Sequence, residues 1–322
     1  MRGRTKFAVG IAALAGTLFM GTAPAEDFPA HPLRLIMPYA AGSSSDVTVR
    51  LIANRVEPQL KQTIVIENRP GANALIGAAF VAKAPADGYT LLFTVPPAVS
   101  KIYFRNPGFD VRSDMVAVTG ICATPYVLAV NSGVPAKSLA EFVSYAKANA
   151  GKLNYGDSAN STMLSMELFK SVAGLDVVVV PYKGAAPATQ ALVAGEIQAL
   201  FGLVSSFKAL EDAGKVRMLA STFPRRLAAW PNMPTFAELG YPDEKLTVTT
   251  TLLERRGAPP QALEKLALLF KPAVAAPEVV KVCTDAGGEP VTADMDQLQR
   301  SMGEEIDRWT FAASRARFVP QD

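Results

Sequence analysis

Residues 33–46 constrain the fold more than any other stretch of the sequence. A short apolar run, 33–37, ends at Pro38 and is typical of a strand in a buried parallel sheet. A loop of small residues, 40–45, follows, and Asp46 or a preceding serine is predicted to cap a helix. The free amide groups and the positive end of such a helix converge on one point, which favours an anion-binding pocket. An ordinary capped turn is the simpler alternative.

The same order of strand, loop and helix recurs along the chain. Strands are predicted at 63–67 and 89–94, with a helix of small residues, 74–84, between them. Short connections of this kind require right-handed crossovers between parallel strands, so they predict a doubly wound α/β sheet. A second series with the same alternation occupies 138–221. A chain of about 300 residues is long for one core and suits two domains.

We therefore predict two doubly wound lobes joined by a hinge. Extended segments flank Pro125, where the chain is predicted to cross between the lobes, and a second crossing is predicted near Leu246. The predicted first lobe consists of 26–125 plus 246–322, and the predicted second lobe consists of 126–245.

Residues 1–25 carry the pattern of a secretory signal peptide. Three basic residues precede an apolar run, 7–20, that is too short to span a bilayer, and small residues at 23–25 predict cleavage after Ala25. Three of the 32 basic residues and none of the 29 acidic ones lie in this segment, so the remaining chain balances at 29 against 29. That balance argues against nucleic acid or an anionic membrane surface as a partner. Export predicts a protein of the periplasm.

The chain contains only two cysteines, Cys122 and Cys283. In an oxidising compartment they either form a disulfide or remain as two buried thiols. The sequence alone does not decide between these states, because pairing depends on the distance between the two residues in the fold.

Few residues of the sequence support catalysis or metal binding. The single histidine, His31, precedes the first predicted strand and lies at the end of the sheet opposite the predicted ligand loops. The sequence has no Gly-x-Ser-x-Gly elbow and no glycine-rich nucleotide motif, and two distant cysteines with one histidine make no zinc site. We therefore predict no catalytic residue, no cofactor and no metal. An exported hydrolase that uses a serine of 43–45 is the weaker alternative.

Three polar loops of small residues each follow a predicted strand and precede a predicted helix. They are 42–46, 156–162 and 183–186. In open α/β sheets such loops lie at the carboxyl ends of the strands, where ligands bind, so two facing lobes bring them to one cleft. Helix capping explains each loop alone, but three loops of the same kind favour an anion-binding cleft.

The stretch 33–46 resembles the opening motif of the Bug/TctC-type extracytoplasmic solute receptors, the binding components of tripartite tricarboxylate transporters. Further matching blocks occur in the family's order at 66–73, 76–78, 86–91, 180–184, 217–220, 231–235 and 238–242. Together they cover nearly all of the chain after the predicted signal peptide, and the blocks around Asn68 and Tyr182 are the most distinctive. The resemblance implies a type II periplasmic-binding-protein fold whose lobes close over a small organic carboxylate.

Members of that family hold a carboxylate through backbone amides and ordered waters, without an arginine clamp. Carried over by the motifs, the resemblance implies ligand-binding roles for Tyr39, Ala41, Gly42, Ser43, Ser44, Asp46, Ser158, Ala159, Asn160, Ser161, Thr162, Tyr182, Lys183 and Gly184. Asp46 is expected either to orient waters at the ligand or only to cap its loop. The implied partners are the subunits of a membrane transporter or, alternatively, a sensor protein, and the receptor itself is expected to be a monomer.

Some residues depart from the family pattern at the predicted cleft. Ser43 replaces the second glycine of the first loop, and 158–161 lacks the usual Gly-x-Gly-Ser order with a histidine after it. Gln198 stands where the family has an acidic residue. These changes leave the identity of the carboxylate open. They also suggest, as an alternative function, a signalling receptor that has lost high-affinity binding.

Overall fold

A computed structural model describes residues 28–321, and the predicted signal peptide at 1–25 lies outside the described residues. The described strands are β1 (Leu33–Met37), β2 (Ile64–Asn68), β3 (Thr90–Thr94), β4 (Met115–Pro125), β5 (Val127–Asn131), β6 (Asn154–Asp157), β7 (Val178–Pro181), β8 (Ala199–Gly202), β9 (Val216–Ser221), β10 (Thr247–Arg255) and β11 (Glu289–Pro290).

The described helices are α1 (Ser44–Leu60), α2 (Leu75–Ala82), α3 (Val111–Asp114), α4 (Leu139–Ala148), α5 (Asn160–Ala173), α6 (Ala185–Ala194), α7 (Val204–Asp212), α8 (Pro260–Val274), α9 (Pro277–Asp285) and α10 (Met295–Arg315). Two short 3-10 helices, Ala72–Ala74 and Pro96–Val99, follow β2 and β3. Between residues 28 and 321, no helix is both long enough and apolar enough to cross a membrane.

Six strands form the first sheet, in the order β11-β4-β10-β3-β1-β2. β1 pairs in parallel with β2 and β3, as the short crossovers predict. β10 runs antiparallel to β3 and β4, because it arrives from the other lobe rather than after a crossover helix. The sheet is therefore mixed. Successive residues of β1 alternate between its faces: Leu35 packs into the core with α1, α8 and α9, and Ile36 into the core with α2 and α10.

Five strands form the second sheet, in the order β7-β6-β8-β5-β9. β6 is parallel to both β7 and β8, whereas β5 is antiparallel to β8 and β9. Phe142 of α4 and Phe169 of α5 belong to the core on one face, and Leu192 of α6 and Phe207 of α7 to the core on the other. Burial on both faces explains why the inner strands β5 and β8 are apolar and only weakly alternating in sequence, whereas the edge strand β7 is largely exposed.

Two crossings connect the sheets. β4 ends at Pro125 and β5 begins at Val127, so Tyr126 alone separates a strand of the first sheet from a strand of the second. β10 makes the return crossing after β9. We call the six-stranded sheet with its helices the first lobe, and the five-stranded sheet with its helices the second lobe. The predicted two-lobe α/β fold class is thus confirmed. The lobe boundaries given above, which also assign the helices and loops, remain a prediction.

The two cysteines form a disulfide, so the structure decides between the two states that the sequence left open. Cys122 lies in β4 and Cys283 in α9, and their Cα atoms are 5.7 Å apart. The bond therefore links α9 covalently to the strand that leads to the first crossing.

Candidate functional site

The first predicted loop forms a capped helix start between β1 and α1. Gly42 has a φ of +80°, the left-handed region that favours glycine, and its amide donates to Asp46 Oδ2 at 3.0 Å. Ser43 is the N-cap of α1, and its hydroxyl accepts a hydrogen bond from the Asp46 amide at 3.2 Å. The side chains of this loop therefore bond mainly to the loop's own backbone.

The Asp46 carboxylate is fully engaged within the protein. Arg50 donates to both of its oxygens, the Gly42 amide to one, and the Asn68 amide group to the other at 2.9 Å. The hydrogen bonds from Arg50, Gly42 and Asn68 lower the pKa of Asp46 to about 2. Asn68 also donates to the carbonyl of Tyr39 at 3.1 Å, so it fastens the loop at two points. Of the two roles expected for Asp46, this geometry describes the capping role.

Replacing Asp46 with asparagine is expected to lower the free energy of unfolding by about 1–2 kcal/mol at neutral pH, because charge-assisted hydrogen bonds are lost and the half-exposed Arg50 limits their strength. The depressed pKa means that this contribution is present above pH 3.8 and disappears as the pH falls towards about 2. Urea denaturation across this range measures it. Asp296→Asn, in the exposed first turn of α10, is the matched control. A tenfold loss of ligand affinity in Asp46→Asn, with unchanged stability, would contradict the capping role.

The second predicted loop lines a cavity of about 410 Å³ between the two lobes. Ser158, Ala159, Asn160 and Ser161 all contribute to its wall. No side chain caps α5, so the first amide groups of the helix, on residues 160–162, have no partner within it. The loop therefore presents free N–H groups and the positive end of the α5 dipole at the cavity, as expected of an anion site.

The remaining cavity wall comes largely from residues that the sequence analysis did not single out. Tyr39, from the first loop, is the exception. The others are Asn73, Val95, Pro97, Ala98, Tyr103, Tyr126, Val248 and Trp309. Asn73 belongs to a run of three non-glycine residues with positive φ, and such strained backbone clusters at functional sites. Four of these residues come from the irregular segment after β3, whose sequence carries no recognisable motif.

The cavity is polar but carries no charged side chain. Among residues 28–321, none of the side chains that line it is acidic, basic or a histidine. Burial raises the pKa of Tyr126 to about 12 and raises the pKa values of Tyr39 and Tyr103 as well. All three phenols are therefore protonated at neutral pH and can donate hydrogen bonds. Tyr126 donates to the Ser161 hydroxyl at 2.8 Å, which ties the first crossing to the start of α5.

The structure does not bring every predicted residue to this cavity. Ala41, Gly42, Ser43 and Asp46 form the α1 cap, and none of them lines its wall. Thr162 lies just behind the wall and donates from its hydroxyl to the Ala159 carbonyl at 2.9 Å.

Ser44 lines a second cavity, of about 450 Å³, which shares Val248 with the first and is bounded by both disulfide cysteines. A larger groove of about 670 Å³ lies between α8 and the start of α10, and none of the three predicted loops reaches it.

The third predicted loop does not line the cavity. Tyr182, Lys183 and Gly184 follow β7, which is the outermost strand of the second sheet. The Tyr182 amide donates to the Asp157 carbonyl at 2.7 Å, and Gly184 caps α6 with a φ of +103°. The position of β7 at the sheet edge explains the separation, and contact of this loop with a ligand stays a prediction.

The one histidine does not approach the serines of the first loop. His31 is exposed and stacks on Tyr89, with 3.7 Å between the ring centroids. Within the part of the chain that the structure describes, no group of histidine, cysteine or acidic side chains is arranged to hold a metal ion.

A buried carboxylate lies behind the cavity. Glu305, on α10, accepts a hydrogen bond from the Thr249 amide at 3.0 Å and is 3% exposed. Burial raises its pKa to about 7, and its charge contributes to the raised pKa of Tyr126. The fold therefore favours the protonated form of Glu305.

Because its folded-state pKa is raised from 4.5 to about 7, the stabilising contribution of Glu305 is complete below pH 4.5 and is lost as the pH rises to about 7. One pKa unit corresponds to about 1.4 kcal/mol, so the free energy of unfolding of wild type is expected to fall by about 3 kcal/mol over this interval. Glu305→Gln is not expected to show this decrease. Chemical denaturation at a series of pH values measures the difference. Glu304→Gln, the exposed neighbour, is the control and should follow wild type. The buried Glu244 and Glu254 are present in all three proteins, so their contribution to the pH dependence of stability cancels in the comparison. Parallel pH profiles for wild type and Glu305→Gln would contradict the expectation.

Two α/β lobes joined by paired crossings, with an uncapped helix start at the cavity between them, define a two-lobe periplasmic binding protein. The sequence profile described as "Tripartite tricarboxylate transporter family receptor" (TctC) matches residues 48–314. The chain belongs to this family of solute receptors, as the motif resemblance predicts.

Protein BugT of Bordetella pertussis is 31% identical over 290 residues, which cover 88% of this chain and 89% of BugT. Among solved structures, the R. palustris protein Rpa4515 with adipate is 32% identical, with a TM-score of 0.75, and the match covers 92% of this chain and 100% of that one. MatC from Rhodopseudomonas palustris with bound malate is 28% identical, with a TM-score of 0.71, and the match covers 89% of this chain and 100% of MatC.

Proposed function

We propose that this chain is an exported solute receptor that binds a small organic carboxylate in the cavity between its lobes. The uncapped start of α5 is the observation that carries the proposal. Its free amides and the adjacent hydroxyls of Ser161 and Tyr103 supply hydrogen-bond donors to an anion, in a cavity whose described wall offers no cationic side chain. The adipate and malate bound to two structural relatives support the same class of ligand.

The proposal extends to the cellular role of the receptor. After cleavage behind Ala25, the protein acts in the periplasm as a monomer, closes its lobes over the ligand and delivers it to the membrane subunits of a tripartite transporter. It holds the ligand without transforming it, since His31 does not line the cavity and no nucleophile with a placed base lines the wall within 28–321. The family to which the chain belongs supports the role of a receptor that works with a tripartite transporter.

A thermal melt of the purified protein against a panel of mono-, di- and tricarboxylates tests the binding function. A carboxylate present at about one hundred times its Kd raises the free energy of unfolding by about 2.7 kcal/mol, and the melting temperature by roughly 5–10 °C. Matched amides or alcohols of the same size are expected to have no effect, because they lack the anionic group. Equal shifts with a carboxylate and its amide, or no shift with any carboxylate, would contradict the proposal.

A further inference from the structure

One polar group in the cavity has no partner in the protein. Tyr103 is only 5% exposed, and its ring packs edge-on against Phe318 at a centroid distance of 5.8 Å. Its side chain lines the cavity, and no residue of 28–321 makes a hydrogen bond with its hydroxyl. The hydroxyl is therefore free to donate a hydrogen bond to a ligand atom that enters the cavity.

The hydroxyl of Tyr103 lies close to the other donors of the site. Tyr103, Tyr126 and Ser161 line the same cavity, and Tyr126 donates to the Ser161 hydroxyl at the start of α5. Tyr103, Tyr126, Ser161 and the free amides of 160–162 therefore form one group, which we call the donor cluster. The Tyr126 hydroxyl is already donated to Ser161, which leaves the hydroxyls of Tyr103 and Ser161 and the three amides, enough donors for the roughly four acceptor positions of one carboxylate.

Outside the donor cluster the wall is uncharged and mostly apolar, and its polar members are the side chains of Tyr39, Asn73, Ser158 and Asn160. Val95, Pro97, Ala98 and Val248 are aliphatic, and the Trp309 indole N–H is already used, since it donates to the Thr247 carbonyl at 2.9 Å. A second carboxylate placed against the aliphatic residues would lose its hydration without gaining a cation, and elsewhere on the wall it would meet only neutral polar groups. An apolar body loses nothing in the same position and gains burial.

We propose that the cavity selects monocarboxylates with an apolar body, and that the Tyr103 hydroxyl donates a hydrogen bond to the carboxylate. This inference rests on the proposed function. The cavity of about 410 Å³ is large enough for such a ligand, because its volume falls in the range of known small-molecule sites. The selectivity is expected because one donor cluster can hold one carboxylate, whereas the rest of the cavity wall is uncharged and mainly apolar.

Titration calorimetry with two matched pairs of acids tests the selectivity. Hexanoate differs from adipate, and benzoate from terephthalate, by the absence of the second carboxylate. In each pair that binds, the monocarboxylate is expected to bind at least roughly tenfold more tightly. Tighter or equal binding of the dicarboxylate would overturn the inference while leaving the proposed carboxylate receptor standing. Absence of binding by all four acids would overturn both.

Tyr103→Phe tests the role of the hydroxyl. The variant is expected to weaken binding of the favoured monocarboxylate by roughly tenfold. Its melting temperature without ligand should not fall, because the lost hydroxyl had no partner in the folded protein. Tyr145→Phe, on α4 and outside the cavity wall, is the matched control and should leave affinity unchanged. Unchanged affinity in Tyr103→Phe, or the same loss in both variants, would overturn the assignment of Tyr103.

Discussion

Ser161→Asp is expected to weaken carboxylate binding by about a thousandfold. The new side chain lies on the cavity wall, where it sets a second negative charge beside the ligand. At about 4 Å and an effective dielectric constant near 20, the repulsion is on the order of 4 kcal/mol, and each 1.4 kcal/mol corresponds to a factor of ten in Kd. The fold should tolerate the change, because an acidic residue in the first turn of α5 suits the helix dipole and still accepts a hydrogen bond from Tyr126. Titration calorimetry and a thermal melt measure the two effects.

Ser138→Asp is the matched control for this charge. Ser138 caps α4 in the same lobe and does not line the cavity, so the control adds a negative charge at a helix start away from the proposed ligand. Its affinity should equal that of wild type. Ser43→Asp gives a further comparison: if Ser43 acts only as the α1 cap, the affinity is again unchanged. Equal affinities for Ser161→Asp and Ser138→Asp would contradict the site while leaving the fold intact.

Reduction of the disulfide is expected to produce the largest loss of stability. Cys122 and Cys283 are 161 residues apart in sequence, so the bond removes much of the conformational entropy of the unfolded chain. For loops of this length the chain-entropy relation gives about 5 kcal/mol, which corresponds to roughly 10–20 °C in melting temperature. Guanidinium denaturation with and without a reductant measures the difference.

The double variant Cys122→Ala/Cys283→Ala is the control for the reductant. Its stability should match that of reduced wild type and should not respond further to reductant. Neither cysteine lines the cavity next to α5, so the affinity for a carboxylate should be unchanged in the variant. If reduction lowers the free energy of unfolding by less than about 1 kcal/mol, the predicted contribution of the bond is contradicted.

The sequence predicts the framework well because the framework depends on local patterns. The apolar runs before Pro38 and around Leu91 are strands in the structure, and the small-residue loop after β1 caps α1. Pro58 shows the limit of a local signal. We would expect it to end α1, but the helix continues to Leu60. Tertiary packing of Val56 and Leu60 into the core outweighs the lost hydrogen bond.

The cavity wall is less accessible from sequence because it forms between distant segments. Ser158–Ser161 could be identified from a local loop pattern, and the structure places them at the cavity. Tyr103, Tyr126 and Trp309 come from an irregular segment, a crossing and a C-terminal helix, and they meet only in the folded chain. No periodicity or spacing relates them. The mixed direction of the strands was hidden for the same reason, since the antiparallel pairing of β10 depends on where the chain returns from the second lobe.

Native mass spectrometry of the gently purified protein tests the central claim most directly. A small organic acid held at the start of α5 should appear as a mass excess of one molecule per chain in wild type and should be absent from Ser161→Asp. The same excess in both proteins would contradict the placement of the site. Unliganded wild type that takes up none of the carboxylates offered to it would contradict the claim that this receptor binds a carboxylate at all.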